Sequence, residues 1–245
     1  MSIGSAVAIA SVVAFGALAQ RISGMGFALI AAPFLVLLLG PHEGVILANV
    51  ASAATAALVL PRVFAHIEWR TYFWLVVPAL VGILPGALLA TRLNASLLEL
   101  AIGSFLVVAL LLSITARRIS ARSSGPAPRV VTGFSSAAAG ISGPPMSLYA
   151  VLSRWPQQAF AATMQPFFLT LGITSVLAKL SLEPGRWPDL PIWFWLSLLA
   201  ALVAGTSLGN RLSRRVSAST ARAAMLSFAV LGALTVAVHG FLTLF

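Results

Sequence analysis

The sequence contains no cysteine and few charged residues. The absence of cysteine excludes disulfide bonds, thiolate metal sites and cysteine nucleophiles. Only 15 basic and 5 acidic residues occur among 245, whereas soluble domains carry about 25 % charged residues. Hydrophobic residues make up 60 % of the chain, more apolar side chain than a water-soluble sphere of this size could bury. The composition therefore excludes a soluble enzyme and a disordered chain.

Several functional signatures are also missing. The sequence shows no nucleophile elbow, phosphate loop, carboxylate pair or cluster of metal ligands, so it predicts neither an enzyme nor a cofactor or metal site. The formal net charge is +10, but no basic stripe is interleaved with exposed aromatic residues, which argues against nucleic acid as a partner. In a membrane protein such an excess is typical of arginines in cytoplasmic loops.

Apolar segments occupy most of the chain and predict an all-α polytopic membrane protein. A helix that crosses a bilayer needs about 20 residues. By that length the third, fourth, fifth, eighth, ninth and tenth segments are full crossings, whereas the second, sixth and seventh are short. The apolar segments lie at 3–20, 25–40, 44–61, 72–91, 97–116, 129–141, 145–155, 159–178, 191–209 and 221–244.

The two halves of the chain resemble one another. Ile22-Ser23-Gly24 matches Ile141-Ser142-Gly143 at a shift of 119 positions, and residues 85–93 align with residues 204–212 at the same shift. The domains predicted from this duplication are a first transmembrane repeat at 1–118, a cytoplasmic linker at 119–127 and a second repeat at 128–245. Each repeat consists of a helical hairpin followed by three transmembrane helices.

The distribution of basic residues predicts the topology. If each short pair enters and leaves on one side, that side carries eleven arginines, while the other carries only Arg92, Lys179 and Arg186. If each pair is one broken helix, the split is nearly even, so the positive-inside rule favours the hairpins. Each half then makes an odd number of net crossings, so the repeats are inverted and both termini lie outside the cytoplasm. The eleven arginines are Arg62, Arg70, Arg117, Arg118, Arg122, Arg129, Arg154, Arg211, Arg214, Arg215 and Arg222.

The tips of the two hairpins are the first candidate binding site. Glycine and proline break the helix there, and in a membrane such backbone must be buried in protein or line a cavity. A new helix starts at each tip, and helix N-termini attract anions. Two tips meeting at mid-depth would cradle an anion, although simple packing turns would explain the glycines as well. The tip residues are Ser23, Gly24, Met25 and Gly26 in the first half and Ser142, Gly143, Pro144 and Pro145 in the second.

Three further residues complete the predicted site. Arg21 precedes the first tip, and a charge at membrane depth is a functional-site hypothesis by default. Its guanidinium would suit sulfonate, sulfite or carboxylate oxygens, but it could instead cap the helix or reach an interface. Asn49 and Gln165 are paired by the repeat and could line the cavity, or simply join helices by hydrogen bonds. Glu43 and Glu99 are candidates for proton coupling, or are favoured by helix dipoles.

The segment from Gly133 to Tyr149, GFSSAAAGISGPPMSLY, resembles the second-repeat signature of the TauE/SafE sulfite exporter family. In that family a glycine-rich run precedes Gly-Gly-Pro-Pro or a close variant, and here Ser142 to Pro145 occupy that place. The stretch from Ser23 to Gly40, with Pro33, is similar to the first-repeat pattern. The first tip departs from the family because Ser23, Met25 and Phe27 stand where further glycines are usual.

The resemblance implies a secondary transporter of a small sulfur-containing anion such as sulfite, sulfoacetate or another organosulfonate. The residues alone indicate a transporter, most simply of an anion. We expect it to work by alternating access in a bacterial inner membrane. A passive anion channel and a transporter of a non-sulfur organic anion are the alternatives. The expected partners are the anion and membrane lipid. The coupling ion, proton or sodium, and the oligomeric state, including a homodimer, stay open.

Overall fold

The computed structural model describes residues 3–23, 27–115, 134–135, 138, 140, 146, 155–185, 187–212 and 218–244. Within these residues the protein is helical and has no strand, as the apolar pattern predicts. A 3-10 turn at Phe64–His66 follows the third helix. The long described helices are α1 (Ile3–Ser23), α2 (Phe27–Leu39), α3 (Pro41–Val63), α4 (Trp69–Arg92), α5 (Ala95–Thr115), α6 (Gln157–Leu182), α7 (Ile192–Leu212) and α8 (Ala218–Leu242).

Helix lengths match a chain that crosses a membrane several times. Five of the described helices, α1, α3, α4, α6 and α7, are long and apolar enough to span a bilayer. Large apolar side chains are exposed on their outer faces, as on Trp74 and Val81 of α4 and Ile192 and Leu196 of α7. Lipid is the solvent that such surfaces require. The prediction of a polytopic membrane protein is therefore confirmed.

The first hairpin consists of one long and one short helix. α1 has 21 residues and α2 has 13, and they pack closely, since a side chain at Gly16 would meet Ala31 and Phe27. Gly40 then turns the chain with φ at +81°, a left-handed conformation that favours glycine. Pro41 opens α3 at the first position of the helix, where its missing N–H is not needed.

The second hairpin is described only in part. Phe134, Ser135, Ala138 and Met146 are helical, in keeping with apolar segments at 129–141 and 145–155. The linker predicted at 119–127 lies outside the described residues. Gly140 has φ at +69°, and a side chain there would lie 3.1 Å from Cβ of Ala48 on α3.

α3 and α6 are neighbours that run antiparallel. Lys179, near the end of α6, lies beside His42 at the start of α3. In the middle, Gly172 lies against the backbone of Asn49. Thr163, near the start of α6, accepts a hydrogen bond of 3.0 Å from the backbone N–H of Glu68, just beyond α3. Contacts between the start of one helix and the end of the other likewise show that α5 and α8 are antiparallel.

Two glycines bring the hairpins against the long helices. A Cβ on Gly205 of α7 would lie 2.2 Å from the carbonyl oxygen of Ala14 on α1. A Cβ on Gly86 of α4 would lie 2.3 Å from the carbonyl oxygen of Phe134. Only glycine permits backbones to approach so closely. Gly86 and Gly205 are 119 positions apart, the shift of the sequence repeat.

Candidate functional site

Arg21 lies in the last turn of α1 and is half-buried against α7. Its Nε donates a hydrogen bond of 2.5 Å to Oδ1 of Asn210, in the last turn of α7. Gly209 makes this approach feasible, because a Cβ at that position would lie 2.9 Å from Cβ of Arg21. The arginine is thus level with the end of α7, and the hydrogen bond to Asn210 orients its guanidinium.

A second cation adds to the positive charge at this end of the bundle. Arg62, in the last turn of α3, is close enough to Arg21 for the two charges to repel each other. Its Nη1 donates a hydrogen bond of 3.0 Å to the carbonyl oxygen of Leu58. Two guanidinium groups held near one another create a potential that attracts an anion.

Gln20 and Gln165 form a buried amide pair beside Arg21. Gln20 is 1 % exposed and Gln165 is 2 % exposed. Nε2 of Gln20 donates to Oε1 of Gln165 at 3.2 Å. Oε1 of Gln20 accepts no hydrogen bond within the part of the chain that the structure describes. A buried amide oxygen without a donor is costly, so this oxygen marks a place where a hydrogen-bond donor would be stabilised.

Asn49 and Gln165 make the same local hydrogen bond in their own helices. Nδ2 of Asn49 donates to the carbonyl oxygen of Val45 at 3.1 Å, and Nε2 of Gln165 donates to that of Ala161 at 2.8 Å. Both contacts run to the residue four positions earlier, and both residues are buried. The pairing that the repeat gives these two residues is therefore matched by their geometry.

The two amides lie at different levels of the bundle. Asn49 is opposite Gly172 on α6, and Gln165 is seven residues before Gly172, which is about 10 Å along a helix. Gln165 belongs with Gln20 and Arg21, whereas Asn49 directly follows Ala48, which lies against Gly140. Gln165 thus lies near the hairpin of the first half, and Asn49 lies near that of the second half.

The tips themselves fall largely outside the described residues. Ser23 is the last residue of α1, and nothing further is described of its side chain. Arg21, two residues earlier, lies near the end of the bundle, whereas the sequence predicts a tip at mid-depth. The predicted tip residues outside the described part are Gly24, Met25, Gly26, Ser142, Gly143, Pro144 and Pro145.

Sequence reasoning missed two partners of the predicted residues. Gln20 and Asn210 are each polar residues beside an arginine at the end of an apolar helix. That position is the feature of the sequence that could have indicated them. Their contacts join residues 145 and 189 positions apart, so no local pattern reveals them. Among the described residues, no cluster of three or more potential metal ligands occurs.

Comparison with protein families gives one finding. The family model described as sulfite exporter TauE/SafE matches residues 8–236, nearly the whole chain. No curated protein and no solved structure matches the chain. The family match covers α1 through α7 and most of α8, including Arg21, Asn49 and Gln165. The chain therefore belongs to the TauE/SafE sulfite exporter family, a family of membrane transporters.

Proposed function

We propose that the protein carries a small sulfur-containing anion, such as sulfite, sulfoacetate or another organosulfonate, across the membrane by alternating access. Membership of the sulfite exporter family supports a substrate of this class. The observation that carries the proposal is the buried polar group at the end of α1. There Arg21 is oriented by Asn210, and the residue before it in the chain, Gln20, forms an amide pair with Gln165.

In the proposed site Arg21 holds the anion. A guanidinium presents a planar set of donors that matches two oxygens of a sulfite or sulfonate group. We place the helix start at Gly24–Gly26 and the hydroxyl of Ser23 at the anion held by Arg21. The helix start at Gly143–Pro145 and the hydroxyl of Ser142 add donors to the anion further along its path. Asn49 and Gln165 line the path between the two tips.

The two halves, 1–118 and 128–245, are inverted repeats joined by residues 119–127. Three observations support this relation. α3 and α6 are antiparallel neighbours. Gly86 and Gly205 admit backbone of the opposite half at the same repeat position. Asn49 and Gln165 have the same hydrogen bond to their own helices. Such repeats commonly carry a substrate site between them.

The orientation follows from the charges at the two ends. Arg62 and Arg211 end α3 and α7 near Arg21, and Arg92 and Lys179 lie at the other end. By the positive-inside rule the end with Arg21 faces the cytoplasm of a bacterial inner membrane, and both termini face outward. Coupling to a proton or sodium ion and assembly as a homodimer are compatible with this arrangement.

Anion-dependent stability of the detergent-solubilised protein tests the proposal. Sulfite, sulfoacetate, sulfate and simple carboxylates are added in turn, and a bound anion raises the melting temperature with concentration. We expect a rise with a sulfur anion. Uptake of that anion into proteoliposomes should saturate, whereas a passive channel would not saturate at low concentration.

Arg21→Ala is the decisive variant and Arg211→Ala its control. Arg211 is an exposed arginine next to Asn210 at the same end of the bundle. We expect Arg21→Ala to remove the thermal shift and the uptake while leaving the unliganded protein folded. Arg211→Ala should retain both the thermal shift and the uptake. Unchanged uptake by Arg21→Ala would refute the role of Arg21, and no shift with any sulfur anion would refute the substrate class.

A further inference from the structure

Lys179 is a buried cation that the proposed site does not use. It lies in the last turn of α6 and is only 4 % exposed. Burial of an ammonium group is costly unless nearby groups stabilise the charge. A lysine at such a position in an apolar helix therefore indicates a function, and its neighbours suggest which one.

A small pocket adjoins Lys179 between three helices. Besides Lys179, the lining residues with polar side chains are His42, Thr91 and Glu183. The hydroxyl of Thr91 donates to the carbonyl oxygen of Leu88 at 3.0 Å, and the carboxylate of Glu183 attracts the ammonium. The space is about 10 Å³, room for about one water molecule. The pocket is lined by His42, Ile46, Ala90, Thr91, Lys179 and Glu183.

The sequence repeat relates this pocket to the surroundings of Arg21. Ala90 and Thr91 of α4 align with Gly209 and Asn210 of α7 at the shift of 119. The second pair lies against Arg21, whereas the first lies against Lys179. The corresponding turns of α4 and α7 thus each lie next to a cation, Lys179 at one end of the bundle and Arg21 at the other.

Basic residues end both of the antiparallel helices. Lys179 lies in the last turn of α6 and Arg62 in the last turn of α3. Arg62 is the cation that lies close to Arg21. Each of the two helices therefore contributes a basic residue to its own end of the bundle.

We propose that Lys179, with His42 and Thr91, forms a second binding site for the transported anion, at the end of the bundle opposite Arg21. The inference rests on the proposed function, since it assigns the same sulfur anion to a second position on its path. The ammonium supplies charge and the imidazole supplies a donor to a sulfite or sulfonate oxygen. Thr91 lines the same space.

The described conformation is closed at this pocket. A space for one water molecule does not admit a sulfonate group, so α4 must move away from α6 before an anion enters. In the closed form the carboxylate of Glu183 lines the same pocket and attracts the ammonium. The anion replaces that carboxylate in the open form, which keeps the buried charge compensated throughout the cycle.

Side-resolved transport by Lys179→Gln tests the second site. Wild type and variant are placed in proteoliposomes of known orientation, and the half-saturating concentration of sulfite is measured from each face. Loss of a charge-assisted hydrogen bond should raise this concentration about tenfold or more at the Lys179 face, with little change at the Arg21 face. Arg92→Gln, an exposed arginine at the same end, is the matched control and should behave as wild type.

Equal half-saturation in Lys179→Gln and wild type would overturn the second site. Failure of the wild type to transport any sulfur anion would instead refute the proposed function, so the two results are distinguishable. A change of equal size at both faces would assign Lys179 a structural role and would also overturn the inference.

A labelling experiment covers the case in which Lys179→Gln does not fold. Because the chain has no cysteine, Thr91→Cys introduces a single thiol into the pocket while Lys179 is kept. Sulfoacetate should slow maleimide labelling of this thiol, and acetate, which lacks the sulfonate group, should not. Labelling that is equally fast with and without sulfoacetate would contradict anion binding at the pocket.

Discussion

Replacement of Gly205 by alanine should separate α1 from α7. The added Cβ would lie 2.2 Å from the carbonyl oxygen of Ala14, whereas ordinary contact begins at 3.4 Å. The helices must therefore move apart by about 1 Å, and neither backbone can turn aside as a flexible side chain could. Overpacking of this kind costs about 1–3 kcal/mol. For a chain of this size the melting temperature should fall by about 2–12 °C.

Gly86→Ala is the matching variant in the first half. Its added Cβ would lie 2.3 Å from the carbonyl oxygen of Phe134, so the expected loss of stability is of the same size. Gly185→Ala is the control, because no atom lies within 4 Å of a Cβ there, and its stability should be unchanged or slightly higher.

Thermal unfolding of the three variants in one detergent provides the measurement. A Gly205→Ala protein as stable as wild type would refute the close approach of α1 to α7. A large loss at Gly205 with none at Gly86 would refute the equivalence of the two contacts, and with it one of the three supports for inverted repeats. Similar losses at both, with the control unaffected, are the expected result.

Two further predictions concern buried polar groups. Gln20→Leu removes a buried amide oxygen that accepts no hydrogen bond from the described residues, but it also leaves Oε1 of Gln165 without the donor that Nε2 of Gln20 supplies. The two effects oppose one another, so the melting temperature should change little while sulfite uptake falls; normal uptake would exclude Gln20 from the site. His239→Ala removes the partner of the buried Glu99 carboxylate, which Nδ1 of His239 contacts at 2.6 Å. It should lower stability by about 1–3 kcal/mol in thermal unfolding, and adding Glu99→Gln should restore part of the loss. A double variant no more stable than His239→Ala would contradict the role of His239 as the partner of the buried Glu99 carboxylate.

The helices could be predicted from the sequence because a bilayer fixes their length. Most described ends lie within a few residues of the apolar segments, but α1 continues to Ser23 and so includes Arg21. Backbone groups in lipid must be paired within the helix, so the helix continues past the point where the side chains become polar. α6 likewise continues to Leu182, which places Lys179 inside a helix rather than after its end.

Of the proposed site, Arg21 was predictable from its charge at membrane depth, and Asn49 and Gln165 from the repeat. Asn49 and Gln165 are equivalent positions in two similar segments, and internal comparison finds them. Gln20 meets Gln165, and Asn210 meets Arg21, through contacts between distant parts of the chain. Hydropathy carries no information on which faces of two helices meet, because lipid and neighbouring helices are equally apolar.

The repeat supplies similar helices to both ends of the bundle, but the charges differ. The position equivalent to Arg21 is Gly140, which lies against Ala48 without any side chain. One end therefore has a guanidinium oriented by Asn210, and the other has the single ammonium of Lys179 near the carboxylate of Glu183. A planar set of donors holds a sulfonate more firmly than a point charge that an internal carboxylate can neutralise. If both positions bind the anion, Arg21→Lys should reduce the difference in half-saturating concentration between the two faces. An undiminished difference would show that the asymmetry between the faces does not come from the guanidinium of Arg21.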